Sequence, residues 1–100
     1  MTVKSLQILF LGQDKRPKRL ADYGAPEGQF VTTCFLAFLI RTEDQNILFD
    51  AGMHSDVARH MASQGRPISV REEDCLPARL KEAAGLAMAD IDRVILSHVH

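Results

Sequence analysis

Apolar and polar residues alternate along this chain in blocks, and the blocks have two different periods. Residues 3–11 are rich in apolar and β-branched side chains and stop at Gly12, which predicts a strand. Residues 12–29 hold three glycines, two prolines and several charges, which predicts a long loop. Inside it, residues 15–19 are a basic run, read as a solvated loop, with an anion-binding patch as the alternative. Residues 30–41 are almost continuously apolar, the pattern of a strand buried on both faces. The short polar segment 42–46 then suits a hairpin loop, and residues 46–50 return as a second strand with Asp50 at its exit.

The period then changes. Val57, Ala58 and Met61 fall at helical spacing within residues 55–64, with Ser55 as the expected N-cap and Gly65 and Pro67 ending the helix. A second helix is expected over residues 73–84, where Leu76, Leu80 and Ala83 or Ala84 recur at i, i+4 and i+7. Pro77 belongs in the first turn, so the helix starts close to Asp74, and Gly85 is its C′ residue. A polar turn at 90–92 leads into a last strand at 93–97. The predicted order is β, β-hairpin, α, α, β, a mixed α/β pattern without internal repeats.

Composition narrows the class. The 100 residues are 46% hydrophobic and 25% charged, which excludes disordered and collagen-like chains. A net charge of −1 gives no pull toward nucleic acid or an anionic membrane. The longest apolar run, residues 35–40, is far short of the ~20 residues a membrane helix needs. Cys34 and Cys75 are read as reduced thiols, and a cytoplasmic location is expected.

Two strand ends carry the candidate chemistry. Asp50-Ala51-Gly52 places a carboxylate and a glycine in a sharp turn, where Asp can accept backbone N–H bonds and hold the loop. Ser97-His98-Val99-His100 places two imidazoles at i and i+2, pointing the same way with Cα atoms roughly 6.5–7 Å apart. Such a pair can converge on one ion, although a metal site takes three or four ligands. His54 and His60 are six residues apart and are read as surface residues.

Together the two sites form a longer pattern: hairpin strand, Asp-x-Gly, two helices, acidic turn, apolar strand, Ser-His-x-His. This resembles the N-terminal half of the metallo-β-lactamase superfamily, within it most of all the N-acyl homoserine lactonase group. The resemblance is strong over residues 46–100 and weak over 12–29. It implies a four-layer αβ/βα sandwich, of which residues 1–100 would be the N-terminal part, cut inside the family's His-x-His-x-Asp-His motif. His98 and His100 match the first two histidines of that motif, which in the family bind the first metal of a two-metal centre. Asp50 and Gly52 match its Asp-Thr-Gly turn, with Ala51 in place of Thr, and Ser97 matches the residue before the motif. These three would support the ligands from behind.

The implied activity is a metal-dependent hydrolase, with two divalent ions, zinc foremost, and a metal-bridging hydroxide that opens a lactone ring. The implied partner is a small-molecule ester such as an acyl-homoserine lactone. A hydrophobic groove would take the acyl tail, with residues 12–29 as a candidate wall. A glyoxalase II-like thioesterase shares the same motifs, and a truncated non-catalytic fragment is the reading from another class. Half of such a sandwich exposes sheet edges and an inner face, so the chain alone is expected to be inactive and to aggregate or form a homodimer.

Overall fold

The computed structural model describes residues 2–98. Five segments are strands: Val3–Pro17 (β1), Phe30–Thr42 (β2), Asn46–Phe49 (β3), Ile68–Ser69 (β4) and Arg93–Ile95 (β5). Two are α-helices, Ser55–Ser63 (α1) and Leu76–Ala84 (α2). The strands form one sheet in the order β4-β1-β2-β3-β5.

β1 and β2 pair antiparallel over almost their whole length, from Val3 opposite Thr42 to Pro17 opposite Phe30. The first strand therefore does not stop at Gly12, as its glycine suggests. Gly12 has φ +117° and sits where the register shifts between Phe10 and Gln13. It marks a bulge, and β1 continues beyond it. Added at Gly12, a Cβ would come within 2.7 Å of Val70 Cγ2 and 2.8 Å of the Ser69 carbonyl oxygen, so only glycine fits. Past the bulge, Gln13 and Asp14 also pair with Ser69 and Ile68 of β4. The expected loop of residues 12–29 shrinks to residues 18–29. The basic run is partly paired: Arg16 Nε lies 3.0 Å from Asp14 Oδ2, and Arg19 lies 2.8 Å from Glu27.

β2 and β3 form the expected hairpin, with Phe38 opposite Phe49 and Arg41 opposite Asn46. Its turn is closed by Thr42, whose N–H donates to the Gln45 carbonyl at 2.9 Å and whose hydroxyl accepts from Gln45 N–H at 3.0 Å.

Alternation along the strands sorts side chains onto two faces. Leu9, Leu11, Ala37, Leu39 and Leu48 share one face and form the core with Leu76 and Leu80 of α2. The opposite face carries Leu6, Ile8 and Leu36, which are 57%, 63% and 40% exposed. The expectation that residues 30–41 are buried on both faces thus holds for one face among the described residues.

Charge holds α2 in place. Asp74 is 2% exposed and accepts from Arg71 N–H at 3.0 Å, Arg71 Nε at 3.1 Å and Arg79 Nη2 at 2.6 Å. Arg79 Nε also donates to the Phe10 carbonyl at 2.9 Å, and its guanidinium lies 5.8 Å from the Phe10 ring centre. One carboxylate thereby ties the 3-10 turn Glu72–Asp74 and α2 to β1. The Arg71 side chain foremost holds the Asp74 carboxyl down to about 2, against an ordinary 3.8. The helix begins at Leu76, with Pro77 in its first turn, and ends at Gly85 with φ +67°.

α1 begins one residue earlier in its capping than expected. The N-cap is His54, whose Nδ1 accepts from Asp56 N–H at 3.0 Å. Ser55, the expected cap, is buried and donates to Glu72 Oε1 at 3.2 Å, because it faces the turn before α2 and not its own helix end.

The chain returns from α2 to place β5 parallel to β3, with Ile47 opposite Arg93 and Phe49 opposite Ile95. The polar turn before β5 fixes this register. Asp92 Oδ2 accepts from Asn46 N–H at 2.7 Å, and Asn46 Nδ2 donates to the Asp90 carbonyl at 3.0 Å.

Candidate metal centre

Because β3 and β5 are parallel, both leave the sheet at the same edge. Ligand sites in sheets with parallel strands gather at such carboxyl ends. Asp50 leaves β3 with φ +67°, the one positive φ outside glycine among the described residues. Asp tolerates this conformation better than most residues. Its N–H donates to the Ile95 carbonyl at 2.8 Å, extending the ladder by one bond. The turn aims its carboxylate at the end of β5.

That carboxylate is occupied on both oxygens. Oδ1 accepts from Ser97 N–H at 2.8 Å, and the Ser97 hydroxyl lies 3.0 Å from Oδ1 and 2.7 Å from Oδ2. The Asp50 carboxyl is held below its ordinary value, first by the Ser97 N–H, then by the Ser97 hydroxyl, with nearby His98 adding to both. Ser97 Oγ in turn lies 2.8 Å from His98 Nδ1. The three residues form a continuous chain from carboxylate to hydroxyl to imidazole.

Gly52 makes the turn fit. It has φ +72°, and a Cβ there would lie 2.7 Å from Leu11 Cδ1 and 2.9 Å from Leu11 Cβ. The turn runs directly over a core leucine, and Ala51 beside it packs against the same cluster.

Next to His98 and Asp50 opens a cleft of about 420 Å³, lined by Cys34, Phe35, Leu36, Phe38, Met53 and Leu96. No residue of 12–29, the expected wall, lines it. Its wall comes from β2, where alternation puts Cys34, Leu36 and Phe38 on one face. That signal was present in the pattern of residues 30–41.

Asp50, Ser97 and His98 are thus brought together, with Gly52 behind them. His100 lies outside the described residues. His54 and His60 are exposed on or beside α1, as expected. Among the described residues no three His, Cys, Asp or Glu side chains gather into a cation site. The donor chemistry at His98 nevertheless suits a divalent ion. Metal-binding histidines characteristically hold their second ring nitrogen in a hydrogen bond, and His98 carries such a bond to Ser97.

The metallo-beta-lactamase superfamily model matches residues 36–100, which include the second half of β2, all of β3, the Asp50 turn, both helices and the Ser97–His98 end. The chain belongs to the metallo-β-lactamase superfamily. Its structural neighbours agree. A quorum-quenching N-acyl homoserine lactone lactonase superposes with a TM-score of 0.83 at 26% identity, over 100% of this chain and 39% of that one. A quorum-quenching N-acyl homoserine lactone hydrolase gives 0.84 at 25%, over 100% and 40%. A mutant of AiiA from B. thuringiensis, with N-decanoyl-L-homoserine bound at its active site, gives 0.86 at 25%, over 100% and 42%. The chain therefore spans about two fifths of the length of these neighbours. No curated protein sequence matches it. The sheet with helices on one face is the first half of the family's four-layer sandwich.

Proposed function

We propose that residues 1–100 are the N-terminal part of a single metal-dependent hydrolase domain that opens the ring of acyl-homoserine lactones. One observation carries the reading: a chain of this superfamily holds His98 at a shared strand end through Ser97 and Asp50. The lactone preference is supported by the neighbours, two of which are named for N-acyl homoserine lactones. The apolar cleft beside His98 also favours a substrate with a long acyl chain.

His98 and His100 would hold the first of two divalent ions, zinc foremost. When bound, the ions supply Lewis acidity and a nucleophile competent at neutral pH. The chain's own residues do the rest. Asp50 and Ser97 hold the His98 ring, and Gly52 keeps the supporting turn seated on Leu11. Phe38, Met53 and Leu96 would take the acyl tail and exclude water around the reacting ester. We place the protein in the cytoplasm, a reading supported by two cysteines that form no disulfide. Among the described residues no helix is long and apolar enough to cross a membrane.

The test is a panel of acyl-homoserine lactones and thioesters offered to the zinc-loaded intact protein. Lactone opening that falls to background in His98→Ala is expected, together with loss of tight zinc binding. Preferential thioester turnover would move the chain to a glyoxalase II-like role. Absence of zinc binding would leave a non-catalytic fragment.

A further inference from the structure

The chain caps α1 with a histidine although a serine stands next to it. Ser55 is buried, and its hydroxyl is committed to Glu72 Oε1 at 3.2 Å. The open N–H of Asp56 is met instead by His54, whose Nδ1 accepts it at 3.0 Å. A backbone N–H only donates, so Nδ1 carries the lone pair and the ring proton sits on Nε2. A serine or asparagine oxygen accepts at every pH. An imidazole nitrogen accepts only while the ring is neutral, and imidazole is the side chain that changes charge between pH 5 and 8. The His54 side chain is 65% exposed, so solvent protons reach it directly.

Protonation puts an N–H where the acceptor was, facing the Asp56 N–H, and two donors cannot share that bond. A positive ring also opposes the macrodipole at a helix N-terminus. A second partner is within reach, because Asp56 Oδ2 lies 3.7 Å from the same ring nitrogen. The neighbouring charges leave that exchange open. Arg59 takes the other Asp56 oxygen, Oδ1, at 3.1 Å. Glu72, from the turn before α2, lies 3.9 Å from Arg59. Arg71, across the groove beneath α1, is engaged by Glu73 and Asp74. β4, which packs on α1, carries no ionisable side chain. The cap also closes a segment that borders the cleft, since Asp50, Ala51, Gly52 and Met53 all line it.

We propose that His54 is a pH-sensitive clasp on α1. Neutral, it holds the Asp56 N–H and with it the Met53 wall of the cleft. Charged, it turns to the Asp56 carboxylate, frees that N–H and loosens the wall. Weaker lactone binding in acid follows; this last consequence rests on the hydrolase reading, whereas the clasp rests on the geometry alone.

Amide hydrogen exchange and histidine ¹⁵N NMR on the intact, metal-free protein between pH 5 and 8 test the clasp, with His60→Gln removing the other histidine of α1. Neutral His54 is expected as the Nε2–H tautomer. Asp56 amide protection, corrected for the intrinsic exchange rate, should fall roughly 2–5-fold as the ring gains its proton. The Met53 methyl signal should move with the same midpoint. His54→Asn should hold both constant, because its amide oxygen accepts at every pH. Asp56 protection that ignores the ring's titration, or that falls equally in His54→Asn, would overturn the clasp. A static Met53 methyl would overturn its link to the cleft. On the zinc-loaded protein, KM for an acyl-homoserine lactone should rise toward pH 5 more steeply in wild type than in His54→Asn, and equal slopes would overturn the effect on binding. The full NMR response in a protein that opens no lactone would uphold the clasp and sink the hydrolase reading instead.

Discussion

Asp74 and Asp50 are both carboxylates with several donors around them, and the surroundings give them opposite tasks. Asp74 is sealed beneath α2 between two guanidinium groups, and each bond it makes joins one part of the framework to another. Asp50 stands at a strand exit, in a left-handed backbone conformation, and its donors are an amide and a hydroxyl. Charged partners lock an element in place. Neutral, directional partners leave the carboxylate able to orient what lies next in line. The same functional group thus builds the fold in one region and aims a histidine in the other.

The comparison breaks if removing the framework carboxylate proves harmless. Asp74→Ala leaves Arg79, only 20% exposed, without its closest partner, and should destabilise the protein by about 3 kcal/mol, read as a lower urea midpoint. Zinc affinity of the folded protein should be unchanged. The pH dependence has a definite sign. Because the folded-state value is about 2 against 3.8, Asp74 contributes stability that is fully present above about pH 4 and is lost as pH falls through 2. That contribution is on the order of 2 kcal/mol. The wild-type advantage over Asp74→Ala should therefore narrow across that acid window and stay constant above it.

A middle-sized effect is expected where the two regions meet. Gly52→Ala forces a Cβ into Leu11 at an unfavourable φ and should cost about 2 kcal/mol. Unlike the Asp74 change, it should also shift the Asp50 turn, so that the Ser97 amide exchanges faster with solvent. The smallest effect belongs to His54→Ala, which removes the α1 cap for about 0.5 kcal/mol in thermal unfolding. Slow exchange at Ser97 should persist there; its loss would show that α1 couples the two carboxylates.

Much of this is legible in the sequence. The β2–β3 hairpin, both helices, Gly85 as the α2 terminator and the pairing of an Asp turn with a Ser-His end all follow from period and turn chemistry. What escaped had physical reasons. β1 beyond Gly12 is a polar stretch whose buried residue is a charged one, Asp14, so it carries no apolar alternation signal, and a bulge glycine looks like a stop. β4 has two residues, too few for any period. Ser55 has the composition of a cap, but a tertiary partner, Glu72, claims its hydroxyl. The cleft wall lay hidden because a strand facing another sheet and a strand facing a ligand have the same apolar pattern.

The parallel pairing of β3 with β5 has a consequence in time. Asp50 and Ser97 are 47 residues apart in the chain, whereas the β2–β3 hairpin closes across a few. Long closures come late, after local pairing has already paid no such entropy. The strand-end histidine is therefore assembled last, on a sheet that already exists. For the metal centre proposed above, capture is then expected to follow folding and not to nucleate it; a zinc-bound species preceding sheet formation in refolding would reverse that order.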